Sequence, residues 1–190
     1  KLYKIKIIKT KKIKNVALIL KTSGSTSNSK YVYLSNSCLS FITGGMNKAM
    51  YNNKNFFNEL LFAPIDHAFG FGRFHALMKS KNSFIMVDEF SFSSLYDNYK
   101  FFKADSLSIP AKVLLNCLEK DYINFKKKLN NLFYVQVSTG YFPTKMRKKL
   151  LNNGTNLFVN YGMTEAMRST FLDCKKYPKK IHTEGKPFSG

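Results

Sequence analysis

Residues 133–162 read FYVQVSTGYFPTKMRKKLLNNGTNLFVNYG. FYVQVST (133–139) is an apolar run rich in β-branched and aromatic residues, which predicts a strand, and NLFVNYG (156–162) predicts another. Between them PTKMRKKLLNN predicts a helix with Pro143 near its first turn, where a missing N–H costs nothing. The same succession runs back along the chain. VALIL (16–20), YVYLS (31–35), ELLFAPI (59–65), SFIMVD (83–88) and SLSIP (106–110) read as strands, several of them continuously apolar, as in a sheet covered on both faces. Helices are expected from an Asn36 or Ser37 cap to Met50, over 71–80, over 91–103, and in two short pieces after Pro110. This alternation predicts an α/β fold with a mostly parallel sheet flanked by helices.

In such sheets ligands bind at the carboxyl ends of the strands. The polar, glycine-containing segments all follow strands: TSGSTSNSK (22–30), DHAFGFGR (66–73), TGYFP (139–143) and YGMTEA (161–166). Four loops are therefore expected to converge on one cleft.

Composition narrows the class of function. A chain of 190 residues with 44% hydrophobic content can bury one sizeable core or two small ones. No stretch of 18 apolar residues exists, so no transmembrane helix is expected, and the opening KLYKIKIIKTKKIKN interleaves its charges with apolar residues, unlike a signal peptide. Residues 1–15 form a basic lead-in, and the absence of an initial Met suggests that the natural N-terminus lies further upstream. Cys38, Cys117 and Cys174 are odd in number and widely spaced, which suits a reducing, cytoplasmic compartment and gives no metal site of the C-x-x-C kind. The formal charge of +20 is nearly all lysine, the arginines being Arg73, Arg147 and Arg168. Nucleic-acid sites favour the planar fork of arginine and cluster their charge, so the excess reads as compositional drift rather than a nucleic-acid surface.

TSGSTSNSK offers hydroxyls, a glycine and one ammonium, the groups that a phosphate chain needs. It is not a Walker loop, because Ser29 precedes the lysine, Tyr31 follows it, and a strand rather than a helix comes next. Asp88 and Glu89 are adjacent, so on a strand they point to opposite faces and do not make a paired acid and base.

TSGSTSNSK, LFAPIDHAFGFG, STGYFP, NYGMTEA and GKPFSG, in this order and spacing, resemble the adenylate-forming superfamily of AMP-dependent synthetases and ligases, of the acyl-CoA synthetase kind, from about residue 16 onward. The resemblance implies that Thr22, Ser23, Gly24, Ser25, Thr26 and Lys30 hold the β- and γ-phosphates of ATP, although Ser27 and Ser29 stand where the family usually has Gly and Pro. It implies that Tyr161 stacks on adenine, that Thr164 contacts the α-phosphate and that Glu165 holds Mg²⁺, with Thr164, Glu165 and Lys30 as the catalytic set. Gly140, Tyr141 and Phe142 resemble the adenine-binding stretch, in which backbone groups face the purine. His67, Phe69 and Gly70, in the P-x-x-H segment, are expected at the acyl substrate, with Asp66 and Arg73 as further pocket candidates. Arg168 follows the signature closely enough to steady it, or is a surface arginine; His75 and His182 are expected in surface or packing roles.

The implied reaction activates a carboxylic acid with ATP to an acyl adenylate and then passes the acyl group to coenzyme A or a carrier pantetheine. The chain would be a partial AMP-binding domain over 16–190, without the C-terminal lysine-bearing domain, and alone a poor or inactive catalyst. Other readings are an adenylation domain for an amino acid or carrier-linked substrate, a basic nucleic-acid-binding module, and an inactive gene remnant.

Overall fold

The computed structural model describes residues 15–22, 30–50, 57–87, 91, 93–95 and 103–188. Residues 1–14 of the basic lead-in, Ser23 to Ser29, Asp88 and Glu89, and most of the helix expected over 91–103 lie outside the described residues.

The core is a seven-stranded sheet in the order β4-β3-β5-β6-β7-β8-β9. The strands β3 (Asn58–Leu61), β4 (Ser83–Met86), β5 (Ser106–Pro110), β6 (Tyr134–Ser138) and β7 (Leu157–Met163) pair in parallel. Two strands not foreseen extend the sheet: β8 (Met167–Asp173) pairs antiparallel with β7, and β9 (Lys186–Pro187) antiparallel with β8. VALIL and YVYLS are strands as expected, but they form a separate hairpin, β1 (Leu18–Lys21) paired antiparallel with β2 (Tyr31–Leu34). Thr22 and Lys30 thus follow and precede two strands that pair with each other and not with the parallel sheet.

The two faces of the sheet differ in chemistry. Leu60, Leu107, Ile109, Val135, Val137, Leu157 and Val159 point to one side, into the main core under α3 (Ala111–Lys120), α4 (Tyr122–Asn130) and α5 (Thr144–Asn152). Strand alternation places Glu59, Ser106, Ser108, Tyr134, Gln136 and Asn160 on the opposite face. That side is covered by α1 (Asn36–Met50) and α2 (Ala68–Lys79), whose Leu39, Ile42, Met46, Ala68 and Ala76 pack with Leu20 and Leu34 of the hairpin. The α1 cap is Ser35 rather than Asn36 or Ser37: its Oγ accepts from Cys38 N at 3.2 Å. No helix among the described residues is long and apolar enough to cross a membrane.

Candidate active site

Turns after β3, β6 and β7 and the neck of the β1–β2 hairpin enclose a cavity of about 310 Å³. Three of the four loops singled out in the sequence therefore meet at the carboxyl ends of parallel strands, and the fourth reaches the cavity through Thr22, from the separate β1–β2 hairpin.

Each loop has a local cause. Thr22 N donates to Lys30 O (2.8 Å) and Lys30 N to Thr22 Oγ1 (3.1 Å), which clamps the two ends of TSGSTSNSK into one neck. Thr22 lines the cavity, and Lys30, exposed, is held beside it. After β3 the chain turns at Pro64 and enters α2 through His67, whose Nδ1 accepts from Phe69 N (3.3 Å) as the helix cap. After β6, Thr139 and Gly140 both adopt positive φ, +61° and +101°, a tight bend that exposes backbone at the cavity mouth. After β7 the chain folds back as a hairpin whose turn presents Thr164 and Glu165. Gly162 sits at a bulge there, and a Cβ on it would lie 1.9 Å from Met167 O.

Six of the expected site residues line this cavity: Thr22, His67, Phe69, Gly140, Thr164 and Glu165. Ser23, Gly24, Ser25 and Thr26 lie outside the described residues. Tyr141 and Tyr161 are exposed beside the mouth, the latter on β7 immediately before the lining Gly162. Phe142 is buried in the main core, and its carbonyl accepts from Arg147 Nε (2.7 Å). Gly70 serves packing: a Cβ there would overlap Pro64 O at 1.9 Å, so glycine lets α2 start hard against the turn. Asp66 and His182 are exposed, and His75 stacks on Phe71 at 6.0 Å, its pKa lowered by burial and then by Lys79.

The three arginines, none of them assigned a firm place from the sequence, are all buried. Arg147 joins the turn after β6 to the C-terminal segment, donating to Phe142 O, to Ile181 O (3.3 Å) and Thr183 O (2.6 Å), and to the Glu184 carboxylate. Arg73, expected in the pocket, instead lies beneath α2 and holds Glu59 by Nε–Oε1 (2.9 Å) and Nη2–Oε2 (2.5 Å). The Tyr134 hydroxyl also donates to Glu59. Burial pushes the Glu59 carboxyl up to about 7, against the pull of the Tyr134 hydrogen bond. Arg168 forms part of the cavity floor, its guanidinium 4.5 Å from the centre of the Phe69 ring. Burial lowers its pKa well below the usual arginine range, and the charge of Arg73 adds to this.

No group of three His, Cys, Asp or Glu side chains gathers to hold a metal among the described residues. The cavity instead presents the single carboxylate of Glu165, exposed at its rim. That suits Mg²⁺ arriving with phosphate oxygens, since such an ion takes one or two carboxylates and keeps several waters.

A family model described as AMP-binding enzyme matches residues 4–190. The 2-succinylbenzoate–CoA ligase of Lactococcus lactis is 24% identical over 178 residues, spanning 92% of this chain and 38% of that protein. Among solved structures, o-succinylbenzoate CoA synthetase of Bacillus subtilis bound with a product analogue superposes with a TM-score of 0.79 at 18% identity, over 93% of this chain and 36% of that one. The same enzyme in complex with ATP and magnesium ion gives 0.74 at 19% identity, covering 90% and 35%. A long-chain-fatty-acid-CoA ligase of Archaeoglobus fulgidus gives 0.74 at 20%, covering 93% and 37%. The structural likenesses establish the fold, and the chain spans little more than a third of the length of these relatives.

Proposed function

The chain belongs to the AMP-binding enzyme family, and from that premise we propose that it forms the nucleotide- and acid-binding heart of an AMP-forming acid–thiol ligase. The observation that carries this reading is the convergence of Thr22, His67, Gly140, Thr164 and Glu165 on one cavity at the carboxyl ends of β3, β6 and β7.

Thr22 and Lys30, with the loop between them, bind the β- and γ-phosphates, the ammonium as a compact point charge and the hydroxyls and backbone as donors. Thr164 donates to the α-phosphate, and Gly140, Tyr141 and Tyr161 flank the adenine. Glu165 holds Mg²⁺, which when bound neutralises phosphate charge as a Lewis acid. His67 and Phe69 border the acid. One carboxylate oxygen of the acid attacks the α-phosphorus, the bond to the bridging oxygen breaks, and pyrophosphate leaves with that electron pair. No proton need move, so the protein contributes position and charge compensation, and the cavity needs no general base. Attack of a thiol on the adenylate then gives the thioester and AMP. Cys117 and Cys174 are not that thiol, because burial raises them to about 11 and about 12. The acceptor is coenzyme A in this reading, as in the relatives whose names carry it. The three free cysteines support a cytoplasmic setting.

The test is product analysis with the intact protein. ATP, Mg²⁺, a panel of carboxylic acids and coenzyme A should yield AMP, pyrophosphate and a thioester in equal amounts. ADP, or ATP cleavage indifferent to the acid, would overturn the reading.

A further inference from the structure

Arg168 is 3% exposed, yet it lines the cavity. Its contacts are poor for a buried guanidinium: Nη1 lies 4.0 Å from Met46 Sδ, Nη2 lies 3.4 Å from Phe69 O, and Nε has no partner. The nearest candidate counterion, Glu59, is held by both Arg73 and Tyr134. Among the described residues the ion pairs are Arg73–Glu59 and Arg147–Glu184, so none involves Arg168. Two arginines thus share one buried carboxyl group, leaving a cation in excess under the cavity. A buried charge without an anion is costly, so a site built this way is completed by what binds in it.

The position of Arg168 says which part of a ligand that is. Thr22, Thr164 and Glu165, the groups suited to phosphate and Mg²⁺, stand at the rim, whereas Arg168 lies with buried Ala68, Phe69 and Met167 at the floor. An acid whose reacting carboxylate meets the α-phosphate at the rim directs its other end toward that floor. An apolar tail there would leave Arg168 Nε without a partner and the other guanidinium N–H groups with only their long contacts to Met46 Sδ and Phe69 O. Further polar atoms on this face are unpartnered: both side-chain atoms of Asn160, and Gln136 Nε2. Asn160 is two residues before the lining Gly162 on β7, and Gln136 is two before the lining Ser138 on β6, so strand alternation puts them on the cavity side of the sheet.

We propose that Arg168 is a specificity-determining residue that binds a second carboxylate, so that the acid activated at this site is a small dicarboxylic acid rather than a fatty acid. The inference rests on the acid-activating reading above. It is tested by calorimetric binding to the intact protein of matched pairs, adipate against hexanoate and glutarate against pentanoate, with MgATP binding measured on the same samples. The better diacid should bind at least about tenfold more tightly than its monoacid partner, the worth of a charge-assisted hydrogen bond. Arg168→Gln should abolish that ratio and Arg168→Lys retain part of it. Equal or tighter binding of the monoacids, or no binding of any acid, overturns the proposal even if Arg168→Gln does not fold, because the wild-type ratio alone decides. Loss of diacid preference with MgATP still bound removes this inference only, whereas failure to bind MgATP removes the adenylation reading with it.

Discussion

The guanidinium of Arg73 on α2 grips the carboxyl group of Glu59 on β3 through two hydrogen bonds, 2.9 and 2.5 Å, with both side chains fully buried. Tyr134 of β6 closes the cluster, donating to Glu59 and accepting from Arg73 at 3.0 Å. The helix that carries His67 and Phe69 is thereby fastened to the sheet beneath the cavity. Arg73→Leu leaves Glu59 without its cation and is expected to cost about 3–5 kcal/mol in urea unfolding. The double variant Glu59→Leu with Arg73→Leu should recover much of that loss. A single variant as stable as the wild type would contradict the clamp.

The same group sets a pH dependence. Burial raises Glu59 from its ordinary 4.5 to about 7. Between those values the folded state holds a proton that the unfolded chain has released, so the contribution is fully present below about pH 4.5 and is lost as pH rises through about 7. Thermal melts of the wild type should therefore lose stability, relative to Glu59→Gln, from pH 5 toward pH 8. Parallel curves for the two proteins would remove Glu59 as the source.

Gly162 supports Thr164 and Glu165 through the shape of their hairpin. A methyl group at this position collides with the backbone of Met167 and Arg168, at 1.9 and 2.9 Å from its Cβ. Gly162→Ala should destabilise the protein by about 1–3 kcal/mol and lower kcat more than it changes the KM for ATP, because the groups proposed to act on the phosphates are displaced. Wild-type kinetics in this variant would mean that the hairpin is not what places them.

The parallel strands were legible because runs such as SLSIP and YVQVS carry their burial in their composition. The meeting of three of the loops followed from where those strands end, whereas Thr22 comes to the cavity from a separate hairpin whose pairing the strand pattern did not show. β8 was not legible: MRSTFLD is short of apolar residues, and its pairing depends on the β7–β8 turn, which a local pattern does not reveal. Glu59 opens the otherwise apolar run ELLFAPI, and nothing nearby in sequence shows that Arg73, a whole turn and helix start later, lies beneath it. Arg168 stood next to the signature and was visible, but only the third dimension puts it under the cavity. Phe142 was placed by its neighbours in the TGYFP turn, whereas Arg147 and the core claim both its carbonyl and its ring.

The central claim, that this cleft holds MgATP for attack by a carboxylate, is tested most directly by acid-dependent exchange of labelled pyrophosphate into ATP in the intact protein. In the proposed reading Lys30 and Glu165 act on charge that is redistributed in the transition state, so their loss should fall on kcat more than on binding. Exchange should require the acid, and Lys30→Ala and Glu165→Gln should each lower its kcat by about a hundredfold or more while the KM for ATP moves much less. Near-normal kcat in both variants would contradict the account.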